Sequence, residues 1–239
     1  MKYALLTGAS GGIGKAAAYR LAERGYGLYL HYHKNQDEIE ALKTQLKQFD
    51  LPIHLLRADL SKKEAVKEML PEIVHEIDTV IHNSGNSFFG LMTDMEDNEV
   101  FEMVQLQITS PFLLTKYLLP SMIRKKSGNI IVISSIWGIT GASCEVLYSM
   151  VKGGLNTFVK ALAKEVAPSG IRVNGIAPGA IATNMLSHLS KAEISELEEA
   201  IPMGRLGEPS EVAHLVDFLL SKRSAYINGQ IISINGAWY

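Results

Sequence analysis

Hydrophobic and polar positions along this chain alternate between two regimes: short runs that are apolar at nearly every position, and longer stretches in which apolar residues recur at helical spacing. The apolar runs fall at residues 3–7, 27–32, 53–57, 77–82, 129–134, 172–177 and 231–234. Continuous runs of this kind suit strands buried on both faces. Between them lie helical stretches. Ala16, Ala17, Leu21 and Ala22 form one, closed by Gly25; residues 36–49 form a polar one; Ser61 is placed to cap a third. The alternation predicts an α/β fold: a doubly wound, mostly parallel sheet of about seven strands with helices on both faces and crossovers of one hand. No repeat, linker or low-complexity tract divides residues 1–239, so a single domain is expected.

Two helices depart from the pattern. Residues 98–124 are apolar nearly all round (Phe101, Met103, Val104, Leu106, Ile108, Phe112), with Pro111 placed to bend or interrupt them. The helix at 148–166 carries a wide stripe of Val151, Leu155, Phe158, Val159 and Leu162. Stripes this wide predict a homodimer or homotetramer joined through these helices, the other reading being two core helices of a large sheet. Residues 184–207 combine Met185, Leu186, Leu189, Ile194, Leu197 and Ile201 with Glu193, Glu196, Glu198 and Glu199. That mixture predicts a pair of short amphipathic helices, a lid over the site.

Composition narrows the field. With 47% hydrophobic residues in 239 the chain can build one large core, and a net charge of −2 gives no electrostatic footprint for nucleic acid or an anionic membrane. One cysteine, Cys144, excludes an internal disulfide and reads as a small buried hydrophobe. No run approaches the ~18 apolar residues of a membrane span, and the first residues lack a signal peptide's apolar core, so a cytoplasmic protein is expected.

Candidate chemistry sits at two places. Gly8, Gly12 and Gly14 follow the first strand and open the first helix, where glycines let the backbone approach a pyrophosphate and the helix N-terminus favours its charge; a purely structural turn is the alternative. Farther on, Tyr148 and Lys152 lie about 40° apart around one helix. The ammonium is expected to lower the phenol's pKa toward neutrality, making Tyr148 a proton carrier, with Ser135 presented at a strand end nearby. The second strand ends in Tyr32, His33 and Lys34, with no carboxylate to hold a ribose 2′-hydroxyl or repel a 2′-phosphate. NADPH is therefore favoured over NADH, unless His31, His33 and Lys34 are only a solvated strand end.

Thr7-Gly8-x-x-x-Gly12-x-Gly14, Asp59-Leu60, Asn83-Ser84-Gly85, Ser135, Tyr148-x-x-x-Lys152 and Pro178-Gly179-x-x-x-Thr183 occur in this order over essentially the whole chain. Together they resemble the short-chain dehydrogenase/reductase family. The resemblance implies a Rossmann-type domain with strand order 3-2-1-4-5-6-7 and Ser135, Tyr148 and Lys152 as catalytic residues. It implies a cofactor lying against Thr7, Gly8, Ser10, Gly12, Ile13 and Gly14, against Tyr32, His33 and Lys34, and against Ser84 and Gly85. Asp59 and Leu60 would lie near the adenine, Asn83 would support the central strand, and Ile181 and Thr183, after Pro178 and Gly179, would meet the nicotinamide carboxamide. Lys152 would also hold the nicotinamide ribose. Gln107 stands where the family usually has an asparagine that organises a proton-relaying water. A non-catalytic, NADPH-binding sensor or scaffold is the reading that this departure alone encourages.

Within the family the chain is similar to two branches that act on protein-borne ketones. One is the 3-oxoacyl-[acyl-carrier-protein] reductases, whose docking of an acidic carrier Arg124, Lys125 and Lys126 would suit, although Ser169 replaces a second basic residue. The other, more closely matched at residues 134–138, at residues 141–146 and at Gln107, is the elongation factor P 5-aminopentanone reductases. There Glu145 would face the substrate's ammonium and Trp137 would wall the pocket, against the alternatives of a solvated carboxylate and core packing.

Overall fold

Leu5 and Leu6 are consecutive, fully buried, and point to opposite sides of the sheet, which sets the architecture. The computed structural model describes residues 1–187 and 189–238. His188, within the expected lid, and Tyr239, at the end of the expected domain, lie outside the described residues. Seven strands, β1 (Lys2–Leu6), β2 (Tyr26–Tyr32), β3 (Ile53–Arg57), β4 (Thr79–His82), β5 (Gly128–Ile133), β6 (Ile171–Pro178) and β7 (Ile231–Ile234), form one sheet of order 3-2-1-4-5-6-7. Every pairing is parallel, with Leu5 beside Tyr29 and Ile81 beside Ile131. All of β2 is buried, as an interior strand covered on both faces must be.

Leu6, Leu28, Leu30, Ile131 and Ile133 pack on one face with α1 (Gly12–Glu23), α2 (Gln36–Leu46) and, later in the chain, α9 (Pro209–Leu220). Leu5, Tyr29, Leu56, Val80, Ile130 and Val132 pack on the other. They meet α3 (Ala65–Met69), α5 (Ser110–Lys125) and α7 (Val146–Val166). The order reverses between β1 and β4, and the crevice beyond the C-terminal ends of these strands is where such sheets take ligands.

Three elements differ from expectation. The helix predicted over 98–124 is two, α4 (Asp97–Val104) and α5, separated by a π turn over Gln105–Thr109. Pro111 sits in the first turn of α5, where its missing N–H costs nothing, and the mismatch is absorbed just before it. Ser61 caps no helix. Its N–H and hydroxyl both donate to Asp59 Oδ1, at 3.1 and 2.7 Å, and α3 begins only at Ala65. The expected helix pair over 184–207 is a 3₁₀ turn at Asn184–Leu186 and α8 (Lys191–Ala200). A reciprocal Ser190–Glu193 capping box opens α8, and none of its residues is fully buried. No described helix is long and apolar enough to cross a membrane.

Candidate active site

The glycine turn between β1 and α1 is tightly built. Gly8 has φ +66°, and a Cβ at Gly14 would overlap the Gly8 carbonyl oxygen and crowd Ala9. Asn83, just beyond β4, donates through Nδ2 to the carbonyls of Thr7 (3.1 Å) and Gly8 (3.0 Å). The Thr7 hydroxyl in turn accepts from the N–H groups of Asn83 and Ser84. No side chain caps α1 at Gly11, so its first N–H groups face the crevice without a side-chain partner, and Ser10 lies half-buried in the same turn. A backbone brought this close, with a helix N-terminus uncapped behind it, fits a dinucleotide pyrophosphate. Thr183 reaches the turn from the far side, its Cγ2 lying 2.8 Å from where a Cβ on Gly12 would stand. Behind Thr183, Ile181 pairs with Gly207, and the carbonyl of Pro178 accepts from Ile136 N.

At the other end of the crevice, Asp59 lies 3.6 Å from His33 Nε2. Partial burial disfavours its charge, yet the two bonds from Ser61, with His33 and Lys62, hold the Asp59 carboxyl below its ordinary range. Leu60 is buried, and its carbonyl accepts from Ser110 Oγ at 2.7 Å. Tyr32 is buried and Lys34 exposed. His31 is not part of a solvated strand end: it is buried beneath the glycine turn.

Ser135 leaves the end of β5 into the short helix α6 (Trp137–Thr140), which is clamped to α7. A Cβ on Gly138 would stand 2.6 Å from the Lys152 backbone, Asn156 Nδ2 donates to Gly138 O, and Ser134 Oγ donates to Lys152 O. Glycine is thus required where the serine-bearing turn meets the helix that carries Tyr148 and Lys152. All three side chains are buried. Lys152 Nζ donates to Ile133 O at 3.1 Å and lies 5.4 Å from the centroid of the Tyr148 ring.

The electrostatics reverse one expectation. Burial pushes the Tyr148 phenol up to about 12; a hydrogen bond with Ser135 pulls it back, and the Glu145 carboxylate pushes it further up. Burial alone brings Lys152 down to about 8. Burial governs both groups, and Ser135 rather than Lys152 is what lowers the phenol, so Tyr148 is held neutral and set to donate a proton.

Gln107 projects from the π turn, fully buried. Its Nε2 donates to Asn86 O at 2.7 Å, while Oε1 has no partner. The bare α-carbon of Gly85 separates that oxygen from Lys152: a Cβ there would lie 2.9 Å from Gln107 Oε1 and 3.4 Å from Lys152 Nζ. Asn86 was not foreseen, since an asparagine held through its backbone carbonyl leaves no mark in the sequence.

Several flanking residues differ from expectation. Cys144 is half-exposed in a left-handed conformation (φ 61°), not buried, and shares an apolar pocket with Phe88, Leu91, Met92 and Leu147. Trp137 is half-buried, tilted against Trp238 with centroids 5.2 Å apart. Arg124 and Lys125 are engaged with Glu76, and Lys125 also with Asp78, which offsets much of the expected basic cluster. Among the described residues no group of three or more His, Cys, Asp and Glu side chains is gathered as a metal site.

A parallel sheet with this strand order, a glycine turn at its switch point and a buried Ser–Tyr–Lys cluster alongside define a Rossmann-type oxidoreductase. Residues 8–237 match the family model described as enoyl-(acyl carrier protein) reductase. The chain is 54% identical to the uncharacterized oxidoreductase YmfI of Bacillus subtilis, covering 100% of this chain and 99% of that protein. It is 35% identical to the 3-oxoacyl-[acyl-carrier-protein] reductase FabG of Staphylococcus epidermidis, over 100% of this chain and 99% of that one. Among solved structures, YwfH, an NADPH-dependent reductase involved in bacilysin biosynthesis, matches with a TM-score of 0.91 at 25% identity, over 100% and 99% of the two chains. The chain belongs to the short-chain dehydrogenase/reductase family.

Proposed function

We propose that this protein is an NADPH-dependent reductase that converts a ketone to a secondary alcohol. The observation that carries the reading is the buried Ser135–Tyr148–Lys152 cluster, with its phenol held neutral, beside the glycine crevice. NADPH, when bound, supplies the hydride. Gly8, Ser10, Gly12, Ile13 and Gly14 would hold its pyrophosphate, Lys34 and His33 its 2′-phosphate, and Ile181 and Thr183 its nicotinamide end. Ser135 donates a hydrogen bond to the substrate oxygen, and Tyr148 gives that oxygen its proton as charge develops. Lys152, an ammonium below pH about 8, stabilises the phenolate left behind. Gln107 Oε1, buried without a partner and facing Gly85 as Lys152 Nζ does, is the group placed to help return the proton to Tyr148 through Lys152. Residues 189–207, which include α8, would close over the substrate.

The ketone we favour is the 5-aminopentanone on a modified lysine of elongation factor P. Support comes from Glu145, whose charge reaches Tyr148, and from Trp137 in the apolar cluster beside that tyrosine. A carboxylate whose field reaches the phenol suits a cationic substrate and disfavours an anionic one. The second reading is a 3-oxoacyl-[acyl-carrier-protein] reductase, favoured by the relative of that name. NADPH oxidation followed with acetoacetyl thioester and with aminoketone-modified elongation factor P separates them. Faster turnover of the modified factor, lost in Glu145→Gln, supports the first; preference for the thioester overturns it; cofactor binding with no turnover of any ketone overturns the reductase itself.

A further inference from the structure

One buried imidazole joins three of the loops that rim the crevice. His31, near the end of β2, lies with its ring beneath the glycine turn. Its Nδ1 accepts from Gly8 N at 3.2 Å, and the Ser84 hydroxyl stands 3.4 Å from the same nitrogen. Its Nε2 lies 3.0 Å from Ala58 O. The backbone of His31 joins in, since Ala9 N donates to its carbonyl at 2.8 Å. The ring therefore ties the end of β1 to the loop after β3, which carries Asp59, and to the loop after β4, which carries Asn83.

The partners dictate the tautomer. Gly8 N–H can only donate, so Nδ1 must be the bare nitrogen; a carbonyl faces Nε2, so Nε2 must carry the proton. Burial brings the imidazole down to about 4, with His33 lowering it further and the Ala58 carbonyl and Asp59 opposing, so the ring stays neutral and Nδ1 stays an acceptor near neutral pH. The contact matters because Gly8 holds φ +66° and its amide has no strand partner: the imidazole fixes the direction of the turn on which a pyrophosphate would rest. We infer that His31 is a positioning residue for the dinucleotide, setting the glycine turn through Gly8 N and the spacing of the adenosine half of the crevice through Ala58 O and Ser84. This rests on the reading of the protein as an NADPH enzyme.

Two substitutions divide the ring between its nitrogens. Asparagine places an amide near the Nδ1 position and keeps an acceptor for Gly8 N; glutamine reaches toward the Nε2 position and keeps a donor for Ala58 O; leucine keeps neither. NADPH binding is measured on the full chain by quenching of protein fluorescence, alongside thermal melting. The expected result is a Kd for NADPH raised at least tenfold in His31→Leu, restored to within a few-fold of wild type in His31→Asn and less so in His31→Gln, with KM for NADPH rising more than kcat falls. In wild type, ¹⁵N NMR should show the Nε2–H tautomer from pH 6 to 8, a readout that holds even where the leucine variant does not fold. Unchanged NADPH affinity in His31→Leu, affinity losses that only track melting temperature across the three variants, or an Nδ1–H tautomer overturns the inference alone. A wild-type protein that binds no NADPH overturns the functional reading and this inference with it.

Discussion

Tyr148 and Lys152 are legible in the sequence as a pair, but their charge states are not. Spacing along one helix fixes that the two share a face; the apolar cluster that encloses Tyr148 draws Phe88, Met95, Met103 and Val104 from other parts of the chain. Tyr148→Phe, which removes only the donated proton, should leave NADPH affinity unchanged while the rate of ketone reduction falls ~10²- to 10⁴-fold; steady-state turnover at saturating cofactor checks this, and a variant that still turns over would sink the role. For Lys152 the consequence reaches stability. Its pKa is depressed on folding from 10.5 to about 8, so between these values the unfolded chain binds more protons than the native one. The cost of burying the ammonium is full below pH 8 and is relieved as pH rises. From pH 8 to 10 wild type should gain ~2 kcal/mol relative to Lys152→Met in parallel urea titrations, before ionisation of the unfolded chain's tyrosines begins to oppose the trend. Coincident pH profiles would show that Lys152 keeps an ordinary pKa.

At the level of elements, what could be read depended on whether a signal was local. Strands β3 and β7 fall where the apolar runs place them, although both are edge strands and only partly buried, because a run of apolar residues between turns is a local signal that needs no distant partner to be recognised. The π turn was not readable: Pro111 announces an interruption, but whether a helix kinks, breaks or widens depends on what its neighbours require. Here the widening places Gln107 inward, with its amide on Asn86 and its oxygen, like Lys152 Nζ, close to Gly85. His31 was unreadable for the same reason, since a histidine at a strand end looks solvated until the glycine turn folds over it. Gln107→Leu is of similar size and removes an unpaired buried oxygen along with the bond to the carbonyl of exposed Asn86, which water can replace, so thermal stability should change little while kcat drops ~10-fold or more with NADPH affinity intact. Were kcat unchanged, no proton would pass by this route.

Across the whole molecule, the largest feature that the fold of one chain leaves unexplained is its exposed apolar surface. Phe101 on α4 is 71% exposed, Phe112 on α5 55% and Met150 on α7 60%, and the Phe112 ring lies tilted over Phe158 with centroids 6.2 Å apart, which joins the outer faces of α5 and α7. Residues of this size scattered singly would call for no comment; set on α4, α5 and α7, the last of which also carries Tyr148 and Lys152, they make this face the candidate association surface. The wide stripes on these helices were visible in the sequence, whereas the division of each stripe between core and surface was not, because periodicity cannot tell a face turned to the sheet from one turned to a second copy. We propose that copies of the chain pair through α5 and α7. Fully covering an exposed phenylalanine contributes ~1.5–3 kcal/mol, so two per chain across a two-fold axis set an upper limit of ~6–12 kcal/mol, lowered because Phe112 is 55% exposed and Phe158 half-buried, before the cost of association is subtracted. Phe112→Glu combined with Phe158→Glu should therefore turn a dimer or tetramer into smaller species in sedimentation velocity at micromolar concentration. Because α7 also carries Tyr148 and Lys152, loss of its outer support should lower turnover as well. A wild-type chain that sediments as a monomer, or a double variant that keeps the wild-type mass, would show that this face serves some other contact.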